Sequence, residues 1–225
     1  MPEVTCWTLI SGAASGNDVD RREFASRYLP VVRAYLHARW RGRLDAHELE
    51  DVEQEVFVEC LREGGVLQRA ERGHGEGFRA FLFGVVRNVA QRCEARRARR
   101  LDEPGSATFH GEDLESGEPS LSRVFDHAWA RAILRQALGR MESTATELGG
   151  SRSRRVELLD SRFGKGRSIH DIARAWGVEP GYLHHEFRRA LRDFEDALKE
   201  VVAFHHPGEP EAVARECREL LALAR

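Results

Sequence analysis

Sulfur is scarce in this chain, with four cysteines and two methionines among 225 residues. Cys6, Cys60, Cys93 and Cys217 form no CxxC pair and have no histidine at ligand spacing, which argues against a zinc site and a disulfide framework and fits reduced thiols. A long apolar run is also missing. The run from Val4 to Ile10 is too short to span a bilayer and follows Glu3 rather than a basic stretch, so it reads as a short helix or arm, not as a membrane span or signal peptide. No segment alternates Val, Ile and Thr with polar residues, so no sheet is expected and the chain reads as all-α; nor is there an internal repeat. An excess of one charge sign is absent too. With 35 Lys and Arg against 37 Asp and Glu, the net charge is −2, so any nucleic-acid contact must come from local clusters or be helped by a partner. The ten histidines include the adjacent pairs His184 with His185 and His205 with His206. There is nevertheless no HExxH, no phosphate-cradling glycine loop and no nucleophile beside a base, so the chain is expected to be no enzyme and to use no metal or cofactor.

What is present is a helical hairpin with a special spacing. In RSIHDIARAWGVEPGYLHHEFRRALRDF, which starts at Arg167, Ile169, Ile172, Ala173 and Trp176 make one apolar face, and Ser168 with Asp171 can cap its start. Gly177 supplies a turn, Pro180 suits the first position of a second helix, and Leu183, Phe187, Ala190 and Leu191 form that helix's inner stripe. Tyr182, His184, His185, Arg188, Arg189 and Arg192 are left to point outward, with groups suited to base edges and phosphates. The segment reads as a helix-turn-helix.

Further helices are expected upstream. Phe24, Tyr28, Val31, Val32, Tyr35 and Leu36 recur at helical spacing, with Pro30 among them as a break or kink. Glu48 to Glu63 places Leu49, Val52, Val56, Cys60 and Leu61 inward and ends at Gly64 and Gly65. A glycine-rich loop, Gly64 to Gly77, precedes a long helix from Phe78 to Arg100 that buries Phe78, Phe81, Leu82, Val85 and Val89. Residues 101–122 are rich in Gly, Pro, Ser and acids without periodicity, as a flexible linker would be. Helical runs follow near Val124 to Met141, Arg152 to Phe163, Ser168 to Trp176 and Gly181 to Phe204, and a last amphipathic segment lies beyond Pro207. The expected plan is a first helical domain at 1–100, the linker at 101–122, a helix-turn-helix domain at 123–206 and an extension at 207–225. The extension's Val213, Cys217, Leu220, Leu221 and Ala224 are expected to pack on the second domain, with binding of a regulator as the alternative.

Two surfaces stand out in the first domain. Asp51, Gln54 and Phe57 are three residues apart and suggest a docking row. Arg92, Arg96, Arg99 and Arg100, with Arg87 and Arg97 nearby, suggest a stripe for phosphates, and one of Phe78, Phe81 and Phe83 could support unstacked bases.

Taken in order, LEDVEQEVFVECL at Leu49 to Leu61, FRAFLFGVVRNVAQRCEARRARR at Phe78 to Arg100 and the helix-turn-helix resemble the bacterial sigma factors of the extracytoplasmic-function type. The resemblance covers about Arg21 to Phe204. It implies a cytoplasmic protein in which Asp51, Gln54 and Phe57 dock on core RNA polymerase. It likewise implies that the Gly64 to Gly77 loop holds an extruded base, and that Arg87, Asn88, Gln91, Arg92 and Arg96 face the melted minus ten promoter element. Tyr182, His184, His185, Arg188 and Arg189 would read the minus thirty-five element. Promoter DNA and core polymerase are the implied partners, and an anti-sigma factor is a candidate third. Phe81 stands where the family usually has Trp, and His184, His185 and Glu186 replace residues that are commonly basic or small. A helix-turn-helix regulator that binds an operator without polymerase is the alternative reading.

Overall fold

A computed structural model describes residues 6–69, 77–101, 120–205 and 209–223. Among these residues every regular element is helical: α1 (Cys6–Ala14), α2 (Asp18–Trp40), α3 (Ala46–Leu61), α4 (Gly77–Leu101), α5 (Leu121–Leu148), α6 (Ser151–Leu159), α7 (Ile169–Trp176), α8 (Pro180–His205) and α9 (Pro210–Leu223). A 3-10 turn at Val66–Arg69 follows α3, and a π turn at Asp160–Gly164 follows α6. No described helix is long and apolar enough to cross a membrane.

The helix starts are written in side chains. Asn17 accepts from the amides of Val19 and Asp20, so α2 begins where its own side chain satisfies two otherwise orphaned donors. Asp45 and Glu48 bond reciprocally to each other's backbone in a capping box, which starts α3 at Ala46, two residues before the position expected from the apolar pattern. Pro30 does not break its helix. It lies inside an uninterrupted α2 on the exposed side, while Phe24, Tyr28, Val31, Val32, Tyr35, Leu36 and Trp40 are buried along the other. That continuous apolar stripe carries the helix across the missing N–H.

The chain divides into two compact units. One comprises Met1–Ala132 with Phe204–Pro207 and Leu221–Arg225, and the other Ile133–Ala203 with Gly208–Leu220. The division therefore falls inside α5, and most of the expected linker, 102–119, lies outside the described residues.

The first unit is centred on aromatic rings. Tyr28 is fully buried, meets Phe24 edge-on at 5.0 Å between centroids and lies parallel to Trp129 at 5.8 Å. Phe78 packs against both Phe24 and Tyr28. At the rim of this core the Glu94 carboxylate accepts from Nε and Nη2 of Arg39 at 2.8 and 2.7 Å and from Nε1 of Trp40 at 3.0 Å, tying α4 to α2.

In the second unit Leu158, Ile169, Ile172, Ala173 and Leu183 form one buried cluster, against which Trp176, Val178 and Phe187 pack. A neighbouring cluster joins Met141, Leu159, Ala190 and Ala197. In α9, Val213, Cys217 and Leu220 are buried, whereas Leu221 is exposed; Ala224 lies outside the described residues.

Candidate nucleic-acid interface

The helix-turn-helix spacing folds as its residues dictate. Ser168 Oγ accepts from the Asp171 amide at 3.1 Å and donates to the Asp171 carboxylate at 2.6 Å, which starts α7 and holds that carboxyl below its usual range. Gly177 ends the helix in the left-handed region at φ 63°, a conformation that costs a side chain about 1–2 kcal/mol. The second helix has a cap the sequence reading missed. The Glu179 carboxylate accepts from the Tyr182 amide at 2.8 Å, and backbone hydrogen bonds from Gly181 and Tyr182 lower its pKa. The cue was available, since an acid immediately before Pro at a first helical position is a common start signal.

Tyr182, His184, His185, Arg188 and Arg192 of α8 are all exposed, and Tyr182 shows half of its surface. The His184 ring meets His170 of α7 edge-on at 6.1 Å, so both helices contribute imidazoles to one surface. Arg189 is exposed but committed in part, because its Nη1 lies 3.1 Å from Glu186 Oε1. Glu186, one of the residues that depart from the family pattern, is not on that exposed face. It is only 8% exposed and faces α6, where Arg155 Nε donates to it at 3.0 Å and Arg155 Nη1 donates to Asp193 at 2.8 Å. Burial pushes the Glu186 carboxyl up, but Arg155, Arg189 and His185 more than offset this and hold it below the usual range. Glu186 thus anchors α8 to α6 rather than facing outward.

In the first unit the docking row is shifted. Asp51 and Gln54 are exposed, but Phe57 is half-buried and sits edge-on to Phe24 of α2 at 6.1 Å. Steps of three residues drift by about 60° around a helix, so the third member of such a row leaves the face on which the first began. Val58, by contrast, is 60% exposed and completes an i, i+3, i+7 row with Asp51 and Gln54.

The basic half of α4 splits in the same way. Arg87, Asn88 and Gln91 are exposed. Arg92 and Arg96 lean toward α3, where Arg92 Nη2 meets Glu59 at 3.0 Å and Arg96 holds both oxygens of Glu55 at 2.9 and 2.5 Å. Arg97 pairs likewise with Glu48. The uninterrupted phosphate stripe expected from the sequence is therefore, over these three residues, a ladder of ion pairs between two helices; the side chain of Arg100 lies outside the described residues. The aromatics beside it are also engaged. Phe78 is buried, Phe83 packs on Tyr35 and Phe125, and Phe81 is half-buried against Phe78. Residues 70–76 of the glycine-rich loop lie outside the described residues.

Among the described residues no group of three or more His, Cys, Asp or Glu is placed to hold a metal ion. No family model and no curated protein matches the chain.

Proposed function

We propose that this protein is a promoter-directing subunit of bacterial RNA polymerase, a sigma factor of the extracytoplasmic-function type. The observation that carries the reading is the α7, Gly177, α8 unit: two capped helices about a left-handed glycine, with Tyr182, His184, His185, Arg188 and Arg192 exposed on the second. Such a helix fits a major groove, and its donors suit base edges and phosphates. The separate helical unit supports the reading, because its Asp51, Gln54 and Val58 row offers a partner an acid, an amide and an apolar contact side by side. A polymerase that supplies most of the grip on DNA explains how a chain of net charge −2 could act there, and two weak readers on one chain reinforce each other through effective concentration.

One observation favours the free-standing regulator. With Arg92 and Arg96 paired to acids of α3, the second unit carries the more available cations. Capture of purified bacterial core polymerase by the full chain, beside D51A/Q54A/V58A, separates the two readings. Retention by the wild type and loss by the folded variant is expected. Failure of both to retain polymerase, with tight binding of wild type to palindromic duplex DNA, makes the regulator the better account.

A further inference from the structure

Three ion pairs, Arg92 with Glu59, Arg96 with Glu55 and Arg97 with Glu48, join α4 to α3. Arg96 grips Glu55 with two parallel hydrogen bonds, and Arg92 reaches Glu59, which also takes Arg62 at 3.1 Å. Arg92 and Arg96 nevertheless keep 49% and 47% of their side-chain surface exposed, so a ligand can approach both without any backbone movement. They stand in one row with Asn88 and Arg99, both exposed and in no ion pair among the described residues. The four-residue steps from Asn88 to Arg92 and from Arg92 to Arg96 each advance about 6 Å, the scale of the gap between successive phosphates of an extended strand. A guanidinium fork that fits a carboxylate fits a phosphate in the same way.

We propose that Glu55 and Glu59 are internal stand-ins for nucleic-acid phosphate: Arg92 and Arg96 form a ready two-phosphate site for single-stranded DNA that α3 occupies in the free protein. The arginine side of each pair is about half exposed and Glu59 keeps Arg62 as a second partner, so a strand delivered at high local concentration displaces the carboxylates, while casual contact with nucleic acid does not. The inference rests on the reading that this unit meets melted DNA, and it adds to it why the free chain would ignore DNA until polymerase presents a strand.

The test is fluorescence anisotropy of a short fluorescein-labelled oligothymidylate with the full-length chain, comparing wild type, E55Q/E59Q and the equally charged control E23Q/E50Q. Each phosphate neutralised on a single strand adds about 0.7 to the salt slope, so two freed arginines add about 1.4. Between about 50 and about 200 mM salt the E55Q/E59Q affinity should fall about sevenfold more than that of wild type. The gain should exceed that of the control and vanish when R92Q and R96Q are added, a coupling that a merely structural role of the acids would not produce. No gain, a gain matched by the control, or a gain that survives R92Q/R96Q overturns the proposal, as does absence of binding by E55Q/E59Q at the lower salt. Polymerase capture is scored separately on the same proteins, so loss of the polymerase reading and loss of this one are distinct results.

Discussion

Arg155 is the residue whose loss α8 should feel most. Its side chain is 13% exposed and its guanidinium bridges Glu186, 10% exposed in its side chain, to the partly exposed Asp193, so α6 holds α8 by a three-membered network with a buried centre. Removing one partner from a buried pair costs about 3–5 kcal/mol, because the remaining charge stays desolvated. Here Arg189 still reaches Glu186 and Asp193 is partly solvated, so Arg155→Leu should destabilise the second unit by about 2 kcal/mol. The pH dependence gives a sharper check than the magnitude. In the wild type the lowered Glu186 pKa contributes stability that is present above the unfolded value, about 4.3, and is lost as pH falls through the folded one. Without Arg155 burial dominates, the folded pKa moves above the unfolded one, and the sign reverses, so the variant's deficit should shrink as pH falls from about 7 toward about 4. Hydrogen exchange of the α8 amides across that range reports the unit directly. A loss below about 0.5 kcal/mol, the level of an ordinary surface change, or a deficit that grows toward acid, would refute the argument that Glu186 is a buried anchor.

Two other outcomes are expected. The Tyr28 hydroxyl is buried with no hydrogen-bond partner among the described residues, and burial pushes its pKa well above the ordinary phenol value, so Tyr28→Phe should raise stability by about 1 kcal/mol in thermal melts; destabilisation would mean that a partner satisfies the hydroxyl. All four thiols are buried, and burial pushes Cys6 up to about 11 and Cys60 up to about 12, so at pH near 8 the native protein should react with a disulfide reagent far more slowly than the denatured chain; fast labelling of Cys6 or Cys60 would contradict their burial.

How far the sequence alone could go is decided by what each residue's partner is. Ser168, Gly177 and the stripe from Ile169 to Trp176 act through neighbours a few positions away, and that local periodicity is visible in one dimension, so the reading and the structure agree on this helix-turn-helix almost residue by residue. Glu186 defeats such a reading because its partner Arg155 is 31 residues upstream, and a charge that follows two histidines on a helix looks solvated until that partner is placed. Arg96 and Glu55, 41 residues apart, are the same case: on α4 alone the arginines form a basic stripe, and only the approach of α3 turns it into a ladder. Phe57 fails for a smaller reason, the drift of a three-residue repeat around a helix, and Val58 was legible to the same arithmetic carried one turn further. Apolar contacts here followed from periodicity. The charged residues did not, since each could face water or a distant partner, and the proposed surfaces are made largely of such polar and charged residues.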